Sequence, residues 1–143
     1  MFRSTRNPGD GLSKRDIYEV WGDVIEHASD LGPAIIEAIH TFLEAANVAE
    51  CFNCQQEHTR EDGRPFLSLH WGDFRADVDA RPFGEHLDVY VILGLTRGLL
   101  DHPDPAARVA ELEAWQRRDL QLFQTMIKRA VEEALEALDE GRL

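Results

Sequence analysis

The sequence predicts an α+β fold, a two-layer sandwich of helices on one face of a three- or four-stranded antiparallel meander. Three observations predict it. Residues 66–95 hold short runs in which apolar and polar side chains alternate, the pattern of half-buried strands. Apolar residues at helical spacing precede and follow those runs. The turn sequences between the runs are short, which favours antiparallel hairpins over crossovers. No stretch reads as an interdomain linker, so residues 13–143 form one expected domain behind a flexible arm at 1–12.

Residues 1–12 are polar and rich in turn formers, with Pro8, Gly9 and Gly11. Ser13 with Asp16 three positions on resembles a capping box, Asp standing where Glu or Gln is usual. Ile17, Val20, Trp21, Val24, Ile25, Ala28 and Leu31 then give a first amphipathic helix. Gly32-Pro33 interrupts it, and proline suits the first turn of a second helix. That helix buries Ile36, Ile39, Leu43 and Ala46 and ends near Asn47. A weaker strand is expected over Val48 to His58, followed by a turn at residues 61–64.

The meander follows as Phe66 to Trp71, Phe74 to Arg81 and Leu87 to Leu95. With Gly72-Asp73 and Phe83-Gly84 as two-residue turns, Leu69 faces Ala76, Val78 faces Val89 and Ala76 faces Val91. Both turns then set apolar residues opposite apolar ones, since a one-residue slip would invert a face. Leu67, Leu69, Trp71, Phe74, Val78, Leu87, Val89, Val91 and Leu93 form the expected core face.

After Asp101-His102-Pro103, Asp104 can cap a helix with Pro105 at its first position. Apolar residues from Val109 to Leu138 keep helical spacing. One straight helix of about 35 residues would reach about 53 Å, against a radius of gyration of roughly 14 to 15 Å for a domain this size. The helix therefore either bends near Gln116 to Asp119 or overhangs and packs on a second chain as a homodimer.

The opposite face of the meander carries Ser68, His70, Arg75, Asp77, Asp79, Arg81, His86, Asp88 and Tyr90. In the expected register Asp79 lies across from Asp88, and Asp77 across from Tyr90. Arg75, Asp77, Asp79, Asp88 and Tyr90 are the candidate partner-binding residues: carboxylates for a basic protein surface, with Tyr90 as an aromatic anchor. Clustered carboxylates also suit a hard divalent cation, although side chains on a flat sheet make a poor cage. Arg75 and Arg81 can alternatively neutralise their neighbours.

Cys51, Cys54 and His58 have the beginning of zinc-ligand spacing, but no second pair follows. The two cysteines read as buried or half-buried reduced thiols, and no cofactor is expected. His27 and His40 read as structural residues on helices, and no serine or cysteine sits with a histidine and an acid at a motif spacing.

The net charge of −12, from 27 acids and 15 bases, disfavours direct binding to nucleic acid or an anionic membrane. It suits a protein partner with a basic surface. No run approaches the roughly 20 apolar residues of a membrane span, and no apolar segment follows Arg3 and Arg6, so a cytoplasmic location is expected. The function expected is a non-enzymatic interaction module (adaptor, chaperone or inhibitor), including one that masks a partner's nucleic-acid-binding surface. The acidic stretch Glu132, Glu133, Glu136, Asp139 and Glu140 could extend its surface. The alternatives are a small metal- or thiol-dependent enzyme using the sheet acids or Cys51 and Cys54, and a structural homo-oligomer.

Overall fold

The computed structural model describes residues 6–96 and 102–143. Residues 1–5 of the expected arm, and Asp101 before the last helical region, lie outside the described residues. The fold is α+β, with elements in the order β1 (Ile17–Ile25), α1 (Gly32–Ala45), β2 (Gln55–His58), β3 (Pro65–Trp71), β4 (Phe74–Phe83), β5 (His86–Leu95), α2 (Pro105–Glu111) and α3 (Ala114–Asp139). The strands form one five-stranded sheet in the order β1-β5-β4-β3-β2, every pairing antiparallel.

The first expected helix is a strand. Ile, Tyr, Val and Trp dominate the segment IYEVWGDVI, and these are strand-favouring residues. Helical spacing would have buried Val20 and Val24, yet they are 59% and 53% exposed. The alternation is blurred because β1 is an edge strand, partly exposed on both faces. The Ser13–Asp16 contact exists, with Ser13 Oγ 3.1 Å from Asp16, but it closes a turn that leads into β1.

The second expected helix is α1, with proline in its first turn. Asn47, at φ +59°, follows it in the left-handed region that stops a helix. Only Gln55–His58 of the expected weak strand pairs in the sheet. Residues 48–53 instead fold as turns that bury Phe52 against Trp71 and Phe123.

The β3–β4 register is as expected, with Leu69 opposite Ala76. The β4–β5 register differs by two residues: Val78 faces Val91, Ala80 faces Val89, and Gly84-Glu85 makes the turn. A two-residue shift keeps every side chain on its face. It also replaces the expected Asp79–Asp88 opposition by Arg81 opposite Asp88 and Asp79 opposite Tyr90, which removes a cross-strand repulsion.

Helices α1 and α3 cover one face of the sheet, α1 lying on β3 and β4 and packing against α3. Ile35, Ile36, Ile39, Phe123 and Ile127 meet Leu67, Leu69, Val78, Val89 and Val91 in one core. Trp71 is only half-buried at its margin. The C-terminal helical region breaks at Leu112–Glu113, not at Gln116 to Asp119. The polar stretch is used as a cap instead: the Glu113 backbone N–H donates to the Gln116 side chain, starting α3. Asp104 caps α2 as expected.

Candidate functional site

Two surfaces carry dense charge, and they differ in whether that charge is already matched. The first is the polar face of the sheet. Residues 6–12, part of the expected flexible arm, lie on it. The Arg6 guanidinium donates twice to Asp77, at 2.8 and 2.7 Å, and the Gly9 N–H adds a third bond at 2.7 Å. Arg6 also reaches Glu57 at 2.8 Å and stacks over the Phe66 ring. Asp79 receives Arg64 at 3.2 and 2.6 Å and the Tyr90 hydroxyl at 2.7 Å.

The side chains of Asp77 and Asp79 have no exposed area. Arg75 is also buried and donates to the Asp10 carbonyl oxygen. Asp88 is mostly covered and paired with Arg81 at 2.8 Å, while Tyr90 is half-buried beneath the Arg81 guanidinium. The expectation of five solvent-facing docking groups on one open surface is therefore corrected. The three aspartates do sit on the face away from the helices, but two of them are covered, because cations from distant sequence positions return to them.

Electrostatics follow from this matching. Burial works against charge on Arg6 and Arg64, yet their hydrogen bonds to carboxylates outweigh it and hold both guanidiniums above their ordinary values. Burial, then the charge of Asp79, pushes the Tyr90 phenol up. The Thr59 hydrogen bond and Arg64 hold the Asp62 carboxyl low. Burial, then Arg75, pushes His70 down.

The two free cysteines differ in exposure. Cys51 is exposed, where burial or half-burial was expected. Cys54 is half-buried, and burial followed by the charge of Glu44 pushes its thiol up to about 11. A thiol protonated at neutral pH is a poor nucleophile.

The second surface is an open groove of about 1180 Å³ between β1, the turn after it and α3. Asp23, Glu26, Glu132, Glu133, Glu136 and Asp139 line it against a single guanidinium, Arg129. Its apolar lining includes Val24, Ile25, Ala28, Leu31, Phe42, Leu135 and Leu138. The groove exists because α1 packs over β3 and β4, which leaves the helix-side face of β1 only partly covered.

Four of the five C-terminal acids picked out from the sequence line this groove; Glu140 does not. Asp23 and Glu26 were missed because their segment reads as a helix. The strand-favouring composition of residues 17–25 was the signal that could have found them.

No family model matches the chain, and no curated protein or solved structure matches it significantly. No helix among the described residues is long and apolar enough to cross a membrane.

Proposed function

We propose that this protein is a non-enzymatic interaction module that binds an extended basic segment of a partner protein along β1 and in the groove beside α3. One observation carries the reading: six carboxylates and one guanidinium line an apolar-walled groove next to a sheet edge. An edge strand offers free backbone donors and acceptors to an added strand. A segment paired with β1 would alternate its side chains between the two faces. One set would cover Val20 and Val24. The other would lay arginine or lysine stems over the apolar wall and hold their charged ends at the acids.

Arg75, Asp77, Asp79, Asp88 and Tyr90, the docking residues expected from the sequence, fit this role less well. A partner could reach Asp77 and Asp79 only after residues 6–12 and Arg64 moved away, and it would have to replace bonds already made. Masking of a basic or nucleic-acid-binding surface is compatible with the groove and is one version of this proposal.

Selection of a random peptide library on the full chain tests it. Enriched peptides should alternate basic with β-branched residues and perturb the amide resonances of β1 and α3. A Glu132→Lys/Glu136→Lys variant should bind them at least tenfold more weakly. Absence of enrichment, undiminished binding by that variant, or a stable dimer occupying β1 in sedimentation would each overturn the reading.

A further inference from the structure

A second chemistry lies at the end of the β1–β5 pair, in side chains that the groove reading does not use as charges. His27 stands in the turn after β1, and Glu85 and His86 come from the β4–β5 turn and the start of β5. One ligand atom from each of the three lies within 4.8 Å of the other two. His27 Nδ1 is 3.3 Å from Glu85 Oε1, and His86 Nε2 is 3.9 Å from the same oxygen. A tetrahedral ion with bonds of about 2.0 to 2.1 Å sets its ligand atoms roughly 3.3 Å apart. The two distances from Glu85 Oε1 are already close to that spacing.

We propose that His27, Glu85 and His86 form a surface site for a divalent transition-metal ion of the zinc or nickel type. Two imidazoles and one carboxylate select such ions over magnesium or calcium, which prefer all-oxygen sets. Three protein ligands leave the fourth position to water or to a group from outside.

The backbone holds the ligands in place. Ile25 pairs with Leu87, and the Ser29 N–H donates to the Glu85 carbonyl oxygen at 3.2 Å, so the two turns are tied together. Buried Ala28 anchors the segment just after His27. His27 itself is held at φ +57°, a conformation sparsely used by residues with a side chain.

Metal binding has a defined proton consequence. The His27 backbone N–H donates to His86 Nδ1 at 3.2 Å, so the neutral His86 ring carries its proton on Nε2. For an ion to bind at Nε2, the proton there must first move through solvent to Nδ1, which frees the Nε2 lone pair for the metal. His86 Nδ1 then no longer accepts from His27. The His27 amide loses its partner, with no net proton release from this ring.

Titration of the full chain with zinc chloride, followed by calorimetry and NMR, tests the site. One equivalent should bind, the His27 amide should shift, and the His86 ring nitrogens should exchange their signatures. His27→Ala and His86→Ala should each weaken binding at least tenfold. Cys51→Ser and His58→Ala, which alter the other residues with zinc-ligand spacing, should leave it unchanged. No binding, unchanged binding in either histidine variant, or loss on Cys51→Ser would overturn the site. His27 also lines the groove, but zinc binding is read on the chain without peptide and the groove test uses Glu132 and Glu136, so failure of one reading is distinguishable from failure of the other.

Discussion

Asp79 and Asp88 show how burial decides what one carboxylate contributes. Asp79 has no exposed side-chain area and holds both Arg64 and Tyr90, whereas Asp88 pairs with an Arg81 that is 54% exposed. Removing one partner of a buried pair leaves the other charge uncompensated, at a cost of about 3 to 5 kcal/mol. Arg64 keeps some access to solvent and has Asp62 as a second partner, so Asp79→Ala should destabilise the fold by about 3 kcal/mol, the low end. Asp88→Ala should cost less than about 1 kcal/mol, as exposed pairs do. Urea unfolding of both variants checks the contrast; equal losses would show that the Asp79 network is not held as described. None of this difference was legible in the sequence. Both aspartates occupy the same kind of alternating position, and Arg6 and Arg64 lie outside the strands that carry them.

Among the elements, legibility tracked how completely each was buried on one side. β3, β4 and β5 bury one face under α1 and α3, so their alternation was clean and their apolar residues were assigned to the correct side of the sheet. The two-residue error at the second turn was invisible to hydrophobic pattern, which has period two. Charge pairing held the missing information, because only the observed register sets Arg81 against Asp88. β1 was misread for the opposite reason: an edge strand with weak burial shows little period-two pattern.

Its attachment also depends on a residue with no side chain. A Cβ on Gly22 would lie 2.7 Å from both the Val89 carbonyl oxygen and the Tyr90 Cβ, atoms of the neighbouring strand. Neither can retreat without moving β5. Gly22→Ala should therefore loosen β1 by about 1 to 3 kcal/mol, the usual cost of overpacking. Hydrogen exchange is the measurement: amides of β1 should lose protection while those of β4 and α1 keep theirs. Uniform loss, or none, would mean that β1 is not a separately attached edge.

Across the whole molecule, the net charge of −12 is distributed unevenly. The polar face of the sheet is nearly balanced, since Asp77, Asp79, Asp88 and Glu57 each meet an arginine. The excess is pronounced around the groove, where no ion pair of Glu132, Glu133 or Glu136 is found among the described residues. Glu132 and Glu136 are four residues apart on α3, a spacing at which like charges repel by about 0.2 to 0.5 kcal/mol. Asp23 and Glu26 add to the repulsion from across the groove. This is a cost to the isolated fold that a basic partner would relieve, which links the stability of the molecule to its proposed function. Screening should relieve it too, because the Debye length shortens from about 30 Å to about 10 Å between about 0.01 and 0.1 M salt. The buried pairs are screened far less, so the repulsive groove should dominate the response. Thermal unfolding is then expected to rise by a few degrees over that range, matching roughly 1 kcal/mol for a domain of this length. Glu132→Gln/Glu136→Gln should raise the low-salt midpoint by a similar amount and flatten the salt dependence, while weakening peptide binding. A midpoint that falls with salt would show that attractive pairs govern the molecule's electrostatics, and the strain assigned to the groove would be absent.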